Sequence, residues 1–265
     1  MPDLKLSRQL RQMTRDYRFV QDTEGMSPAQ VYRLEGAAQT LYLKTSFSLY
    51  HGTTYDVERE KDILLWLRGK LPVPEVLHFE RYEGSNFLLM SEVHGLAGAA
   101  DYEQHRDPER MIRFYSEGIQ AFRSVDPSDC PFDNCVEHRL IELEYLLNQG
   151  LAAVDPAHWE EDTPFQDPQE LYTFLKNHRP AEDLVFSHGD FCDSNFFVHD
   201  GKISALIDLG RSGKADRWYD IAFCVRSIRN DLGNRPEHLD LFFDLLGGQP
   251  DWDKIRYYIL LDELF

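Results

Sequence analysis

One stretch constrains this chain more than any other: His188-Gly-Asp190-Phe-Cys-Asp-Ser-Asn195, with Asp208-Leu-Gly210 following thirteen residues after Asn195. The flanking runs Leu184 to Phe186, Phe196 to Val198 and Ile203 to Ile207 are apolar and strand-like, so the polar residues are mounted on rigid supports. An Asp placed five residues before an Asn, with a second Asp beyond a strand, can deliver one base and two oxygen ligands to a single point, as phosphoryl transfer requires. Asp190 would take or orient a hydroxyl proton. Asn195 and Asp208 supply the hard oxygens that Mg²⁺ prefers. Asp and Asn also favour ordinary turns, and for any one of these residues that reading is sufficient. The ordered set is much harder to explain as a turn.

A second constellation lies upstream. Alternation in Thr40-Leu-Tyr-Leu-Lys44 puts Tyr42 and Lys44 on one face of a strand. At helical spacing over roughly 56 to 68, Glu60 shares the apolar face of Val57, Ile63, Leu64 and Leu67. A carboxylate aimed inward should be paired, because an unpaired buried charge is costly. Lys44 is the partner available.

The set resembles the catalytic and metal-binding loops of the protein-kinase-like superfamily. Cys192 stands where protein kinases usually carry Lys, Asp-Leu-Gly replaces Asp-Phe-Gly, and no Ala-Pro-Glu follows. The run Ile207 to Phe223, Ile-Asp-Leu-Gly-Arg-Ser-Gly-Lys-Ala-Asp-Arg-Trp-Tyr-Asp-Ile-Ala-Phe, is similar to the aminoglycoside phosphotransferases, most of all the type III 3′-phosphotransferases.

That resemblance runs the length of the chain, and implies an α+β, two-lobed kinase-like fold. Residues 1 to 95 would form a small β-rich nucleotide lobe with the hinge, and 96 to 265 a larger, mostly helical lobe. ATP or GTP with Mg²⁺ would be the cofactors. The resemblance places Lys44, held by Glu60, on the α- and β-phosphates, Ser27 of the turn Glu24-Gly-Met-Ser-Pro28 over the phosphates, Tyr42 near the base, and the backbone of Ser91 and Val93 against adenine. It places Glu160, Arg211, Asp262, Glu263 and the terminal Phe265 around the acceptor. Ala157 stands where an acidic contact is expected. The implied reaction is phosphorylation of the 3′-hydroxyl of kanamycin- and neomycin-class antibiotics. A kinase for another small amine or a macrolide is an alternative, and a nucleotide-binding pseudokinase scaffold another, although pseudokinases tend to have lost one of the residues retained here.

Charge is informative because it is uneven. The chain of 265 residues carries −18 in all; residues 1 to 95 hold 13 acidic and 12 basic side chains, whereas 96 to 265 hold 33 and 16, a net −17. Such a surface repels nucleic acid and attracts a polycation. It equally keeps a protein soluble. No apolar run reaches the length of a membrane span and the first twenty residues lack a signal-peptide core, so a cytoplasmic location is expected. Nothing points to an obligate protein partner. The four cysteines lack Cys-x-x-Cys spacing.

From Asp107 onward apolar residues recur at helical spacing in six segments up to Leu264. Before that point the pattern is of short strands, with helices at 4 to 15 and 56 to 68.

Overall fold

The computed structural model describes residues 4–23, 27–152, 154–160 and 162–265. The chain divides into two compact units: Met1–Leu96 with Phe196–Arg211, and Ala97–Asn195 with Ser212–Phe265. The segment 196–211 therefore clusters with the first unit, although it lies far along the chain.

The first unit is built on a five-stranded sheet in the order β1-β2-β3-β5-β4. Its strands are β1 (Arg18–Asp22), β2 (Gln30–Glu35), β3 (Thr40–Phe47), β4 (Val76–Tyr82) and β5 (Ser85–Ser91), and every pairing is antiparallel. Alternation in β3 and β5 turns Leu41, Leu43, Phe87 and Leu89 to one face, where Leu6 and Leu10 cover them. Those two leucines flank the start of α1 (Arg8–Met13), shorter than its apolar pattern suggests because Ser7 caps it by accepting from the Leu10 N–H. Tyr42 and Lys44 face the other way, toward α2 (Val57–Leu67). Asp56 caps α2 through the Glu58 N–H and is itself held by Asn86 Nδ2 at 2.8 Å. The short β6 (Leu96–Ala97) closes the first stretch of chain. The hairpin of β8 (Phe196–His199) and β9 (Lys202–Leu206) turns on Asp200 and Gly201, both at positive φ, as a tight two-residue hairpin requires.

The second unit is helical apart from β7 (Leu184–Ser187) paired antiparallel with β10 (Gly213–Asp216). Its helices are α3 (Gly98–His105), α4 (Pro108–Ser124), α5 (Val136–Gln149), α6 (Pro168–Asn177), α7 (Tyr219–Asp231), α8 (Pro236–Leu246) and α9 (Trp252–Asp262). Pro at the first turn of α4, α6 and α8 and glycines at the left-handed C-caps of α5 and α8 set their ends. Among the described residues no helix is long and apolar enough to cross a membrane.

Candidate active site

In the first unit Lys44, Glu60 and Asp208 come together as one ionic cluster. Lys44 Nζ lies 2.8 Å from Glu60 Oε2 and 2.5 Å from Asp208 Oδ1. Lys44 and Glu60 are buried, whereas 42% of the Asp208 side chain is exposed. Burial alone would pull the Lys44 ammonium down, but Asp208 and then Glu60 outweigh it and hold it well above its ordinary value. Burial pushes the Glu60 carboxyl up, against the opposing pull of Lys44. The loop after β9 is fastened to α2: Leu209 N–H donates to Glu60 Oε1 at 3.3 Å, and Arg59 Nε donates to the Gly210 carbonyl at 3.0 Å. A Cβ at Gly210 would sit 2.6 Å from the Thr54 carbonyl oxygen, so the Asp-x-Gly glycine is required by close backbone approach. Asp208 itself adopts a left-handed φ of 56°.

Tyr42 is half-buried, and burial raises its hydroxyl pKa. The Ser91 N–H already donates to the Glu75 carbonyl at 3.0 Å, and Val93 is partly exposed. The strand end is pinned to the hairpin, because Ser204 Oγ donates to the His94 carbonyl at 2.6 Å. At Gly95, where φ is 123°, a Cβ would lie 2.4 Å from the Val198 oxygen. Ser27 is partly buried, and Glu24, Gly25 and Met26 of its turn lie outside the described residues. Arg211 belongs to this unit, its guanidinium 5.8 Å from the centre of the Tyr55 ring.

In the second unit the Asp190 loop is held from beneath. The Asp220 carboxylate accepts from the N–H groups of both His188 and Gly189 at 2.8 Å, and Ser212 Oγ donates to the His188 carbonyl at 2.7 Å. Asp220 is buried, and its desolvation raises its carboxyl pKa against the pull of His188 and these backbone donors. His188 is fully buried, and the Asp190 N–H points to its Nδ1 at 3.3 Å. Asn195 Nδ2 donates to the Asp190 carbonyl at 2.8 Å. One of the two N–H donors of that amide is thereby engaged. Phe191 is buried edge-to-face against Phe122 and Tyr115. A Cβ on Gly118 of α4 would stand 2.1 Å from its ring, so this mid-helix glycine makes room for the loop.

The second unit also holds Glu160, Asp262, Glu263 and Phe265 of the expected acceptor residues, whereas Arg211 belongs to the first. Glu263 Oε1 accepts from the Glu160 N–H at 2.8 Å and the Thr163 hydroxyl at 3.2 Å, and Asn230 Nδ2 donates to Glu160 at 3.0 Å. Burial first, then Asp262 and Glu160, push the Glu263 carboxyl up. Asp262 is paired with Arg226 at 2.7 Å. Arg226 is held cationic against its burial by Asp262, and more weakly by Asp190 and Glu160. The Phe265 ring lies 3.5 Å from the guanidinium of the buried Arg139, which pairs with Glu142 at 2.8 Å. Ala157 is exposed in a short turn, Pro156–His158, and Glu161 lies outside the described residues.

Sequence reasoning did not single out Asp220 or Arg226. A carboxylate one residue into α7, flanked by Tyr219 and Ile221, was the available signal for the first, as Glu60 was in α2. Arg226 carried none, because its partner is 36 residues away.

Residues 18–258 match the family model described as "Phosphotransferase enzyme family". The chain is 61% identical over 265 residues to an aminoglycoside 3′-phosphotransferase of Enterococcus faecalis, with all of both chains covered. It is 60% identical over the same length to an aminoglycoside 3′-phosphotransferase of Staphylococcus aureus, again with 100% of each covered. Among solved structures it is similar to an aminoglycoside-3′-phosphotransferase of type VIII, with TM-score 0.82, 29% identity and 97% of each chain covered. It is also similar to APH(3″)-Id of Streptomyces rimosus in complex with ADP and streptomycin, with TM-score 0.79, 25% identity, and 96% and 95% of the two chains covered.

Proposed function

The chain belongs to the phosphotransferase enzyme family and, within it, to the aminoglycoside 3′-phosphotransferases of kinase-like fold, and from that premise we propose that it moves the γ-phosphoryl group of ATP or GTP to the 3′-hydroxyl of kanamycin- and neomycin-class antibiotics. Phosphorylation of the drug confers resistance. The Lys44–Glu60–Asp208 cluster carries this reading. A lysine held by two carboxylates, one buried and one partly open, is poised to meet an anion while its own charge stays fixed.

Each residue then has a task. Lys44 binds the α- and β-phosphates, and Glu60 fixes its direction. The phenol of Tyr42 lies against the base, Ser27 meets the phosphates, and Val93 with the Ser91 carbonyl bonds adenine, the Ser91 N–H being committed to Glu75. Asp190 orients the acceptor hydroxyl and takes its proton as the new O–P bond forms. Asn195 Oδ1 and the Asp208 carboxylate are hard oxygens suited to Mg²⁺, which when bound neutralises phosphate charge. Asn195 immediately precedes Phe196 and Asp208 follows Leu206 by two residues, and Phe196 and Leu206 are register partners in the hairpin. Glu160, Asp262 and Glu263 offer negative charge to the ammonium groups of the drug, with Arg211 and Phe265 completing the acceptor site. A cytoplasmic setting, where the nucleotide is available, fits this assignment.

The test is nucleotide-dependent phosphate transfer across a panel: kanamycin, neomycin, a 3′-deoxy analogue of kanamycin, choline and a macrolide. Transfer to the first two only is expected. Equal transfer to the 3′-deoxy analogue would overturn the regiochemistry, transfer to choline or the macrolide would favour another small-molecule kinase, and nucleotide binding without any transfer would favour a scaffold.

A further inference from the structure

Apart from the acceptor residues, the second unit contains a pocket of about 270 Å³ lined by Arg123 of α4, Arg217 and Trp218 before α7, Ile221 of α7, and Phe243 and Leu246 of α8. No acidic residue lines it, although residues 96 to 265 carry a net −17. Its two guanidinium groups are unequally served. Arg217 Nη1 lies 3.2 Å from Asp183, whose side chain is 63% exposed. Arg123 makes neither a hydrogen bond nor an ion pair among the described residues, and the buried Nε–H donors of both arginines have no acceptor. Buried donors normally find partners, so two unserved Nε–H groups in one pocket are costly as they stand, although both side chains are partly exposed. Burial and the like charge of Arg217 depress the Arg123 guanidinium, against the weaker opposing pull of Asp183.

We infer that this pocket is a second binding site, for a small aromatic carboxylate whose head group meets Arg123 and Arg217 and whose ring lies against Trp218, Ile221, Phe243 and Leu246. The head-group class follows from charge and shape. Two guanidinium groups less one Asp183 carboxylate leave one positive charge, which matches a monoanion, and planar N–H forks pair bidentately with a carboxylate. The backbone cannot serve as the donor set, since the Gly247 and Gly248 N–H groups already donate to the Phe243 carbonyl at the end of α8. Size limits the body. Pockets for drug-sized ligands run from about 300 to 1,000 Å³, so a nucleotide or an aminoglycoside is too large for this one, and its positive lining repels a polyamine.

The probes are indole-3-acetate, the neutral indole-3-acetamide, the cationic tryptamine and phenyl phosphate, titrated calorimetrically into the full chain. Indole-3-acetate should bind at least about tenfold more tightly than the amide, consistent with a charge-assisted bond. Tryptamine should not bind. Arg123→Gln should lower the affinity for indole-3-acetate by about tenfold or more, with the thermal midpoint held or raised and kanamycin phosphorylation unchanged. Arg217→Lys, which keeps the charge and removes the fork, should weaken binding in the same direction. Equal binding of acid and amide, undiminished binding by Arg123→Gln, tighter binding of phenyl phosphate, or a lowered midpoint in Arg123→Gln would each overturn the assignment.

Discussion

Removing the Lys44 side chain should injure stability and nucleotide use by amounts that the cluster geometry sets. Lys44→Ala leaves Glu60, of which 3% is exposed, without its counter-charge 2.8 Å away and with Asp208 as its nearest charged neighbour in the cluster. Breaking a buried ion pair by deleting one partner typically costs about 3–5 kcal/mol, a large share of the roughly 5–15 kcal/mol that holds a domain folded. Glu60→Gln is milder, because Lys44 retains Asp208 at 2.5 Å and exchanges a charge-assisted bond for a neutral one, a loss of about 1–2 kcal/mol. The double variant Lys44→Met, Glu60→Leu should recover much of the Lys44→Ala loss, since an apolar pair of similar volume is often tolerated where a buried ion pair stood. Urea denaturation gives the ordering, and steady-state kinetics give the function: the KM for nucleotide should rise more than the KM for the aminoglycoside. The pH dependence is also fixed. The ammonium is raised in the folded state, so its stabilisation is complete below the ordinary lysine value of about 10.4 and is lost only as pH rises toward the folded value. A Lys44→Ala cost under about 1 kcal/mol against this expectation, a double variant as unstable as the single, or a KM effect confined to the drug would refute the reasoning.

Asp190→Asn should lower turnover by roughly 10²–10⁴-fold while nucleotide binding, measured by fluorescence or calorimetry, is unchanged; turnover within tenfold of the parent would remove Asp190 from the proton-handling role. Asp220→Asn should shift the thermal midpoint down and reduce kcat together, because an amide cannot accept both the His188 and Gly189 N–H groups, which now stand 2.8 Å from its two carboxylate oxygens; lost activity at an unchanged midpoint would argue against an anchoring role. Glu263→Ala should raise the aminoglycoside KM by about tenfold at low salt, with the difference narrowing as salt is added. Because burial raises the Glu263 carboxyl, its ionisation works against folding: stability attributable to it is greatest below the ordinary glutamate value and declines as pH rises through the raised folded value. Stability measured against pH for Glu263→Gln beside the parent should show a smaller decline in the variant than in the parent.

Where periodicity or caps decided the structure, the sequence was readable. Strand β2 and helices α6 and α8 have the bounds that their patterns and prolines indicate, and the inward Glu60 finds Lys44 as the cost of a buried charge demands. Helix α3 was not legible, because Ala97 offers it no side-chain cap and few of its residues are apolar. Tertiary contacts fix it instead: Ala99 N–H donates to the Asp193 carbonyl, and Asp101 is gripped bidentately by Arg110 at 2.8 and 3.0 Å. Strand β10, Gly-Lys-Ala-Asp, has weak strand propensity and exists because β7 pairs with it. In the acceptor group, spacing brings Asp262 and Glu263 together, but it does not show that Asp262 is already paired with Arg226.

The glycine at position 118 bears on how resistance is read from genomes. A helix interior disfavours glycine by about 0.5–1 kcal/mol relative to alanine, so alanine there looks conservative, even improving. Yet the added methyl would stand 2.1 Å from the Phe191 ring, next in sequence to Asp190, the proposed proton acceptor. A strain carrying Gly118→Ala would keep every polar residue of the active site and still be expected to regain much of its drug susceptibility, as a minimum inhibitory concentration would reveal. Gene surveillance that scores only the polar motif would report such an allele as a working resistance determinant.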